Sequence, residues 1–159
     1  MSENFKHTKK QKIEKFSKMK TDIVYVAMSA DLIHVGHIYL IQAAAKYGEV
    51  VVGLLSNEAI KSYKREPIIT WEERYSVIKE MKSVAMVVPQ RTHDYTDNLL
   101  LLRPSYVVHG SDWKTGVQSK VRQKVINVLA EWGGELIEPD YTNGISTTDI
   151  INRCNKQKI

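Results

Sequence analysis

Residues 22–55 read DIVYVAMSADLIHVGHIYLIQAAAKYGEVVVGLL, and this stretch decides the fold. Two apolar, β-branched runs, Ile23 to Met28 and Val50 to Leu55, flank a helical pattern over about Gly36 to Tyr47. That order predicts a strand, a helix and a second strand parallel to the first. The alternation continues outward. Further strands are expected at Ala85 to Val88, Tyr106 to Val108 and Glu135 to Ile137, each nearly continuous in apolar residues, as strands covered on both faces are. Helices are expected at Trp71 to Met81, Asp97 to Leu102 and Val117 to Trp132, with a last one starting near Ser146, and Gly133 and Gly134 supply a helix stop before the fifth strand. The pattern predicts an α/β fold, a doubly wound, Rossmann-like sheet of about five parallel strands.

The chain has 159 residues, 43% hydrophobic and 26% charged, which suits one globular domain with a real core. Its net charge of +5 comes from residues 1–20, where seven lysines face Glu3 and Glu14; the rest balances at 16 basic and 16 acidic side chains. We therefore divide the chain into a basic N-terminal extension, 1–20, and a folded domain, 21–159. The extension could touch phosphates non-specifically, and a solvated tail is the plainer expectation, so no specific nucleic-acid partner is expected. No apolar run approaches the ~20 residues of a membrane helix, and the N-terminus lacks a secretory pattern. Cys154 is the sole cysteine, which excludes an internal disulfide. A cytoplasmic protein without a membrane partner is expected.

Sheets of this kind bind ligands at the carboxyl ends of their strands, so the strand-to-helix turns are where chemistry is sought. No GxGxxG follows a strand and no GxxxxGK[ST] occurs, which disfavours a dinucleotide oxidoreductase and a Walker-type nucleotidase. The first turn, MSADLIHVGHIYL, places His34 and His37 around Gly36 at a helix start, beside free backbone N–H groups and the positive end of the dipole. Gly36 would let a phosphate approach the backbone. Taken alone the turn also fits two surface histidines or a two-histidine metal site, although zinc needs a third protein ligand and no HExxH or cysteine cluster is present. The last turn, PDYTNGISTTDII, runs from the fifth strand into a helix with Ser146 at its cap, offering hydroxyls and N–H groups from Ser146, Thr147 and Thr148. The two turns can converge on one polyphosphate.

The H-x-G-H turn paired with a downstream GIST helix start resembles the nucleotidyltransferase superfamily, which moves a nucleoside monophosphate from a triphosphate and releases pyrophosphate. A KMSKS loop is absent and the chain is too short for a class I aminoacyl-tRNA synthetase. Ser111 to Trp113 (SDW) and Gly144 to Thr148 (GISTT) look like the cytidylyltransferases, and Ile151 stands where the adenylyltransferase branch has an arginine. The stretches LLSNEAIKSYKREPIITWEER, VVPQ, LRPSYVVHGSDWKTGVQ and EWGGELIEPDYTNGIS are most similar to the cytidylyltransferase modules found with phosphoenolpyruvate phosphomutase in phosphonate biosynthesis. This resemblance covers about Asp22 to Ile151. It implies transfer of CMP from CTP, with Mg²⁺, to a small phosphonate or phosphate acceptor, 2-aminoethylphosphonate first and 2-hydroxyethylphosphonate next, in a homodimer. The alternatives are a glycerol-3-phosphate or phosphocholine cytidylyltransferase, an adenylyltransferase, and a non-catalytic nucleotide-binding protein.

The same resemblance implies roles. His34 and His37 would hydrogen-bond the phosphates and stabilise charge at the α-phosphoryl group, and Lys64 in SYKREP would reach over it, with Arg65 able to share the task. Contacts to nucleotide and phosphate are expected from Ser29, Ala30, Asp31 and Gly36 of the first turn and from Lys82. Others are expected from Gly110, Asp112 and Trp113, and from Thr142, Gly144, Ile145, Ser146 and Thr147. Asp31 would orient the first turn or a magnesium-bound water, or simply cap the loop. Arg74 in WEER matches a family arginine and is expected to hold its helix, paired with Glu58. Tyr141 replaces the arginine of the family's R-T-x-G-I-S-T, and Lys114, Lys120 and Arg122 are candidates to replace its charge. No resident metal ligands are expected. An acceptor amine would meet Asp94, Asp112, Trp113 or Tyr141.

Overall fold

The computed structural model describes residues 21–140 and 144–157; the basic extension, Tyr141 and Thr142 lie outside the described residues. Five parallel strands form one sheet: β1 (Ile23–Met28), β2 (Glu49–Leu55), β3 (Met86–Gln90), β4 (Tyr106–Val108) and β5 (Glu135–Ile137). Their order is β3-β2-β1-β4-β5, so β1 is central. The chain winds outward through β2 and β3, then returns to the other side of β1. That reversal between β1 and β4 is the switch point where such sheets open a crevice.

Alternate residues of β1 serve opposite faces. Val24, Val26 and Met28 pack with Val50, Val52 and Leu54 beneath α1 (Val35–Ala44) and α3 (Trp71–Ile78). Tyr25 and Ala27 face the other way, into a core closed by α4 (Thr96–Leu102) and α5 (Ser119–Ala130). Tyr25 pairs with Val51, which makes Gly53 its diagonal neighbour on the same face, and a Cβ at Gly53 would overlap the Tyr25 hydroxyl.

The expected strands match closely, with two extensions. β2 starts at Glu49, and β3 runs on through Pro89 to Gln90. A proline is tolerated there because β3 is an edge strand, where the missing N–H leaves no ladder bond unmade. α1 and α3 end at Ala44 and Ile78, each three residues short of the expectation, their last residues forming hydrogen-bonded turns instead. α5 begins two residues late because Gly116 takes a left-handed φ of 74° within the short 3₁₀ turns Ser111–Lys114 and Gly116–Gln118. It ends at Ala130, two residues short of the expected Trp132, and Gly133, at φ 76°, then turns the chain so that the Gly134 N–H closes onto the Leu129 carbonyl at 3.0 Å. Helix α2 (Asn57–Lys61) was not expected; Ser56 caps it by accepting from the Ala59 N–H. α6 (Thr147–Lys156) completes the element order. Among the described residues no helix is long and apolar enough to cross a membrane.

Candidate active site

The first turn leaves the carboxyl end of β1 in a strained path. Ala30 and Leu32 take left-handed φ values of 51° and 60°, a conformation that costs roughly 1–3 kcal/mol per non-glycine residue unless its surroundings enforce it. Asp31, between them, supplies the enforcement. Its buried carboxylate accepts from the N–H groups of Ile68 (3.0 Å) and Ile69 (3.1 Å) and pairs with Arg65 at 2.8 Å. Asp31 is thus committed to the 65–69 loop, and Ala30 is wholly buried; neither residue lines the cavity, contrary to expectation. Arg65 is occupied by the same pair, which leaves Lys64 as the cation of this loop that faces inward. Its Nζ donates to Ser29 Oγ at 2.8 Å, and burial pulls the amine below its ordinary range. Arg74 lies buried beneath the turn, donating to the carbonyls of Ser29 (2.6 Å) and Leu55 (2.8 Å), and to Asn57 Oδ1 (2.7 Å). Asn57, in place of the expected Glu58, completes its bonding.

The two histidines cap α1. His34 Nδ1 accepts from the Gly36 N–H at 3.1 Å, and His37 Nδ1 accepts from the His34 N–H at 3.3 Å, a capping box built from imidazoles. An Nδ1 that accepts carries no proton, so each neutral ring holds its proton on Nε2 as a donor. Burial lowers both pKa values. His37 is pushed down to about 3, with repulsion from His34 and Lys64 adding to burial, while Asp149 partly offsets the effect on His34. The rings lie 4.0 Å apart. A Cβ on Gly36 would stand 2.9 Å from the His34 ring, so a larger residue here would push that imidazole off its cap.

The start of α6 meets this turn. Thr147 Oγ1 donates to the Asp31 carbonyl at 2.6 Å, and Ser146 Oγ caps the helix by accepting from the Asp149 N–H at 3.1 Å while donating to that carboxylate. The hydroxyls of Ser146 and Thr147 are therefore spent on the fold. What remains for an anion is the Thr148 hydroxyl, which lines the cavity, together with the helix dipole and the N–H groups of the first turn. Gly144 holds φ 80° before this start, a value suited to glycine.

These pieces surround a cavity of about 450 Å³ at the carboxyl ends of the strands. Of the expected contacts, Ser29, Gly36, His34, His37 and Lys64 line it from one side. Ile145, Ser146 and Thr147 line it beside the first turn, and Gly110 and Asp112 line it after β4. Three expectations are corrected. Lys82 follows α3, which runs from the carboxyl toward the amino ends of the strands, so it is exposed at the opposite edge of the sheet. Trp113 is fully buried, its Nε1 donating to Glu138 at 2.8 Å, and gives the cavity only a support. Asp94 accepts from Thr96 and Lys124 and is not free for an amine. Arg122 grips Glu138 with two bonds of 2.8 Å, and Lys114 lies 3.8 Å from it, which holds that carboxyl down to about 2.

Residues not singled out from sequence complete the walls. His109, directly after β4, stacks on Trp113 at 3.8 Å and 10° and donates from Nδ1 to the Gly110 carbonyl at 2.8 Å. His93, in the loop after β3, stacks on Tyr63 at 4.1 Å and 13°. Burial lowers both imidazoles and lifts the Tyr63 hydroxyl to about 12. The only sequence signal for them is position, since each follows a strand end. Lys64 is the one lysine or arginine lining the cavity among the described residues. Among those residues no three His, Cys, Asp or Glu side chains are grouped to hold a metal ion.

A family model described as "Cytidylyltransferase-like" matches residues 27–153. An ethanolamine-phosphate cytidylyltransferase of Mus musculus is 30% identical over 125 residues, which cover 77% of this chain and 30% of that protein. The Dictyostelium discoideum protein of that description is 31% identical, over 86% of this chain and 38% of its own length. The bifunctional protein HldE of Geobacter sulfurreducens is 30% identical, over 84% and 27%. The chain thus spans about a third of the length of these curated relatives. A lipopolysaccharide core biosynthesis protein from Thermoplasma volcanium shares the fold, with a TM-score of 0.67 at 19% identity, over 77% of this chain and 99% of that one.

Proposed function

The chain belongs to the cytidylyltransferase-like family, and on that premise we propose that it transfers CMP from CTP to a small phosphonate, 2-aminoethylphosphonate ahead of 2-hydroxyethylphosphonate. One observation carries the reading. The first turn and the start of α6, bonded through Thr147 and Asp31, bring His34, His37, Lys64 and a helix N-terminus to one cavity.

An anionic acceptor oxygen attacks the α-phosphorus in line, a new P–O bond forms, and the bond to the β-phosphate breaks with its electron pair leaving on pyrophosphate. No covalent enzyme intermediate is needed, so the protein positions the reactants and stabilises charge. The Nε2–H groups of His34 and His37 serve as neutral donors to the phosphoryl oxygens, and Lys64 leaves Ser29 to add a positive charge. The α6 N–H groups hold the outer phosphates. Magnesium, in this reading, comes with the nucleotide, where it would screen the triphosphate and assist the leaving pyrophosphate. A cytoplasmic homodimer belongs to the same proposal, and light scattering tests the dimer.

The second reading is ethanolamine phosphate as acceptor, favoured by the descriptions of the mouse and Dictyostelium relatives. It shares the aminoethyl group and differs by the bridging oxygen. The test measures pyrophosphate release with CTP or ATP and a panel of the two phosphonates, ethanolamine phosphate, phosphocholine and glycerol 3-phosphate. The highest kcat/KM should fall on CTP with 2-aminoethylphosphonate. Preference for a phosphate ester would overturn the phosphonate assignment, and no release with any pair would overturn CMP transfer.

A further inference from the structure

Beneath the β3 side of the cavity lies a polar network inside an apolar core. Tyr25 donates its hydroxyl to Gln90 Oε1, and Asn98 Nδ2 donates to the Tyr25 oxygen at 2.9 Å and to the Pro89 carbonyl at 3.1 Å. Tyr25 and Gln90 are at most 2% exposed. The Gln90 amide nitrogen leaves the core, donating to the carbonyls of Thr92 at 2.9 Å and Asp94 at 2.7 Å. Those carbonyls flank His93, so both of its neighbours are tied to a single side chain rooted in the sheet. The far end of the loop is fixed separately, by the Asp94 carboxylate on Thr96 and on Lys124 at 2.5 Å.

What the network fixes is a wall of the cavity. His93 lies flat on Tyr63, and Lys64, the next residue, has its Nζ 5.3 Å from the Tyr63 ring while it bonds Ser29. A line of contacts therefore runs from the buried amide through the loop carbonyls to His93, Tyr63 and Lys64. The side of the cavity matters. The nucleotide is expected at the switch point between β1 and β4, which leaves the β2–β3 side, where Tyr63 and His93 stand, for the acceptor. This assignment rests on the reading of the preceding subsection.

The geometry points to Gln90 as a positioning residue for the acceptor: through the Thr92 and Asp94 carbonyls it sets the His93–Tyr63 stack that shapes the acceptor side of the cavity. Buried amides cost stability unless fully bonded, and this one has a partner for its oxygen and for each of its N–H groups. A leucine or methionine at position 90 would fill the same space and serve the core alone.

The test uses Gln90→Met and His93→Ala, singly and together, in the full chain. In each folded single variant the KM for the acceptor should rise about tenfold or more while the KM for CTP stays within about twofold. The double variant should be no worse than His93→Ala, because both changes act through one ring. Multiplying effects, equal rises in both KM values, or an unchanged acceptor KM would overturn the inference. A second measurement needs no acceptor. In ligand-free Gln90→Met protein the His93 ring resonances should shift while those of His34 do not, and an unmoved His93 overturns the positioning role. If the parent protein turns over no acceptor, the proposed function fails, and the His93 resonances still decide this inference.

Discussion

Thr147 donates its hydroxyl to the carbonyl oxygen of Asp31 at 2.6 Å, joining the start of α6 to the turn after β1 across 116 positions of sequence. The bond fixes the distance between two elements that line the cavity. Thr147→Val keeps the shape and loses the donor, leaving a partly buried carbonyl unpaired at a cost of about 1–3 kcal/mol. We expect the KM for CTP to rise by roughly tenfold with a small loss of melting temperature. Steady-state kinetics with CTP varied checks this, and an unchanged KM would mean that α6 is held by packing alone.

His34 both caps α1 and presents a donor, and the two roles separate by substitution. His34→Ala removes both, so turnover should fall by ~10² or more and stability by about 0.5–2 kcal/mol. His34→Asn restores an acceptor at the cap without the Nε2–H. It should melt like the parent and stay as inactive as the alanine variant. A His34→Asn protein with normal turnover would remove the imidazole from the chemistry.

The histidines also set the acid limit of the fold. His37 has a folded pKa of about 3 against an ordinary value of about 6.5. A depressed pKa means that the unfolded chain binds the proton more readily, so this stability is present above about pH 6.5 and is lost as pH falls toward 3. Glu138, depressed to about 2 from 4.5, acts only in the lower window, below its ordinary value. Melting temperature should therefore decline from about pH 6.5 downward, and His37→Asn should flatten the slope above pH 4.5. Parallel melting curves for parent and variant in that interval would refute the assignment.

Asp31 docks the loop that carries Lys64. Asp31→Asn keeps one acceptor and loses the ion pair with Arg65. Local opening of the 65–69 loop should become more frequent, and trypsin should cut after Lys64 or Arg65 about tenfold faster when opening is in rapid equilibrium. Turnover should fall in step, since Lys64 rides on the same loop. Unaltered proteolysis would show that the loop is held by Lys64 on Ser29 and by packing.

The strands were legible to within one or two residues because parallel strands buried on both faces are nearly unbroken apolar runs. Gln90 lies past Pro89, beyond the apolar run that predicts the third strand, and only the strand order reveals an edge where proline is harmless. Asn57–Lys61 is too short for any periodicity. In the site, the H-x-G-H turn, Lys64 and the GIST helix start were readable as motifs. Tyr63, His93 and His109 were not, since each is one residue whose meaning depends on which strands adjoin. Lys82 failed for a related reason: spacing along the chain does not say which way a helix runs. Asp94, Trp113 and Asp31 had the right neighbours in sequence, but internal bonds claim them.

Gly53, under the Tyr25 ring, has an evolutionary consequence. Any larger residue at 53 collides with the Tyr25 hydroxyl, so a lineage that acquires one must also shrink residue 25. Losing that hydroxyl strips Gln90 and Asn98 of their shared partner. Asn98 still donates to Gln90 Oε1 at 2.9 Å, so the amide pair would persist, but the close packing of positions 25 and 53 ties those two choices to each other. Tyrosine third in the first strand and glycine fifth in the second form a signature, and it can be sought in diverged chains where no ligand-facing residue is recognisable.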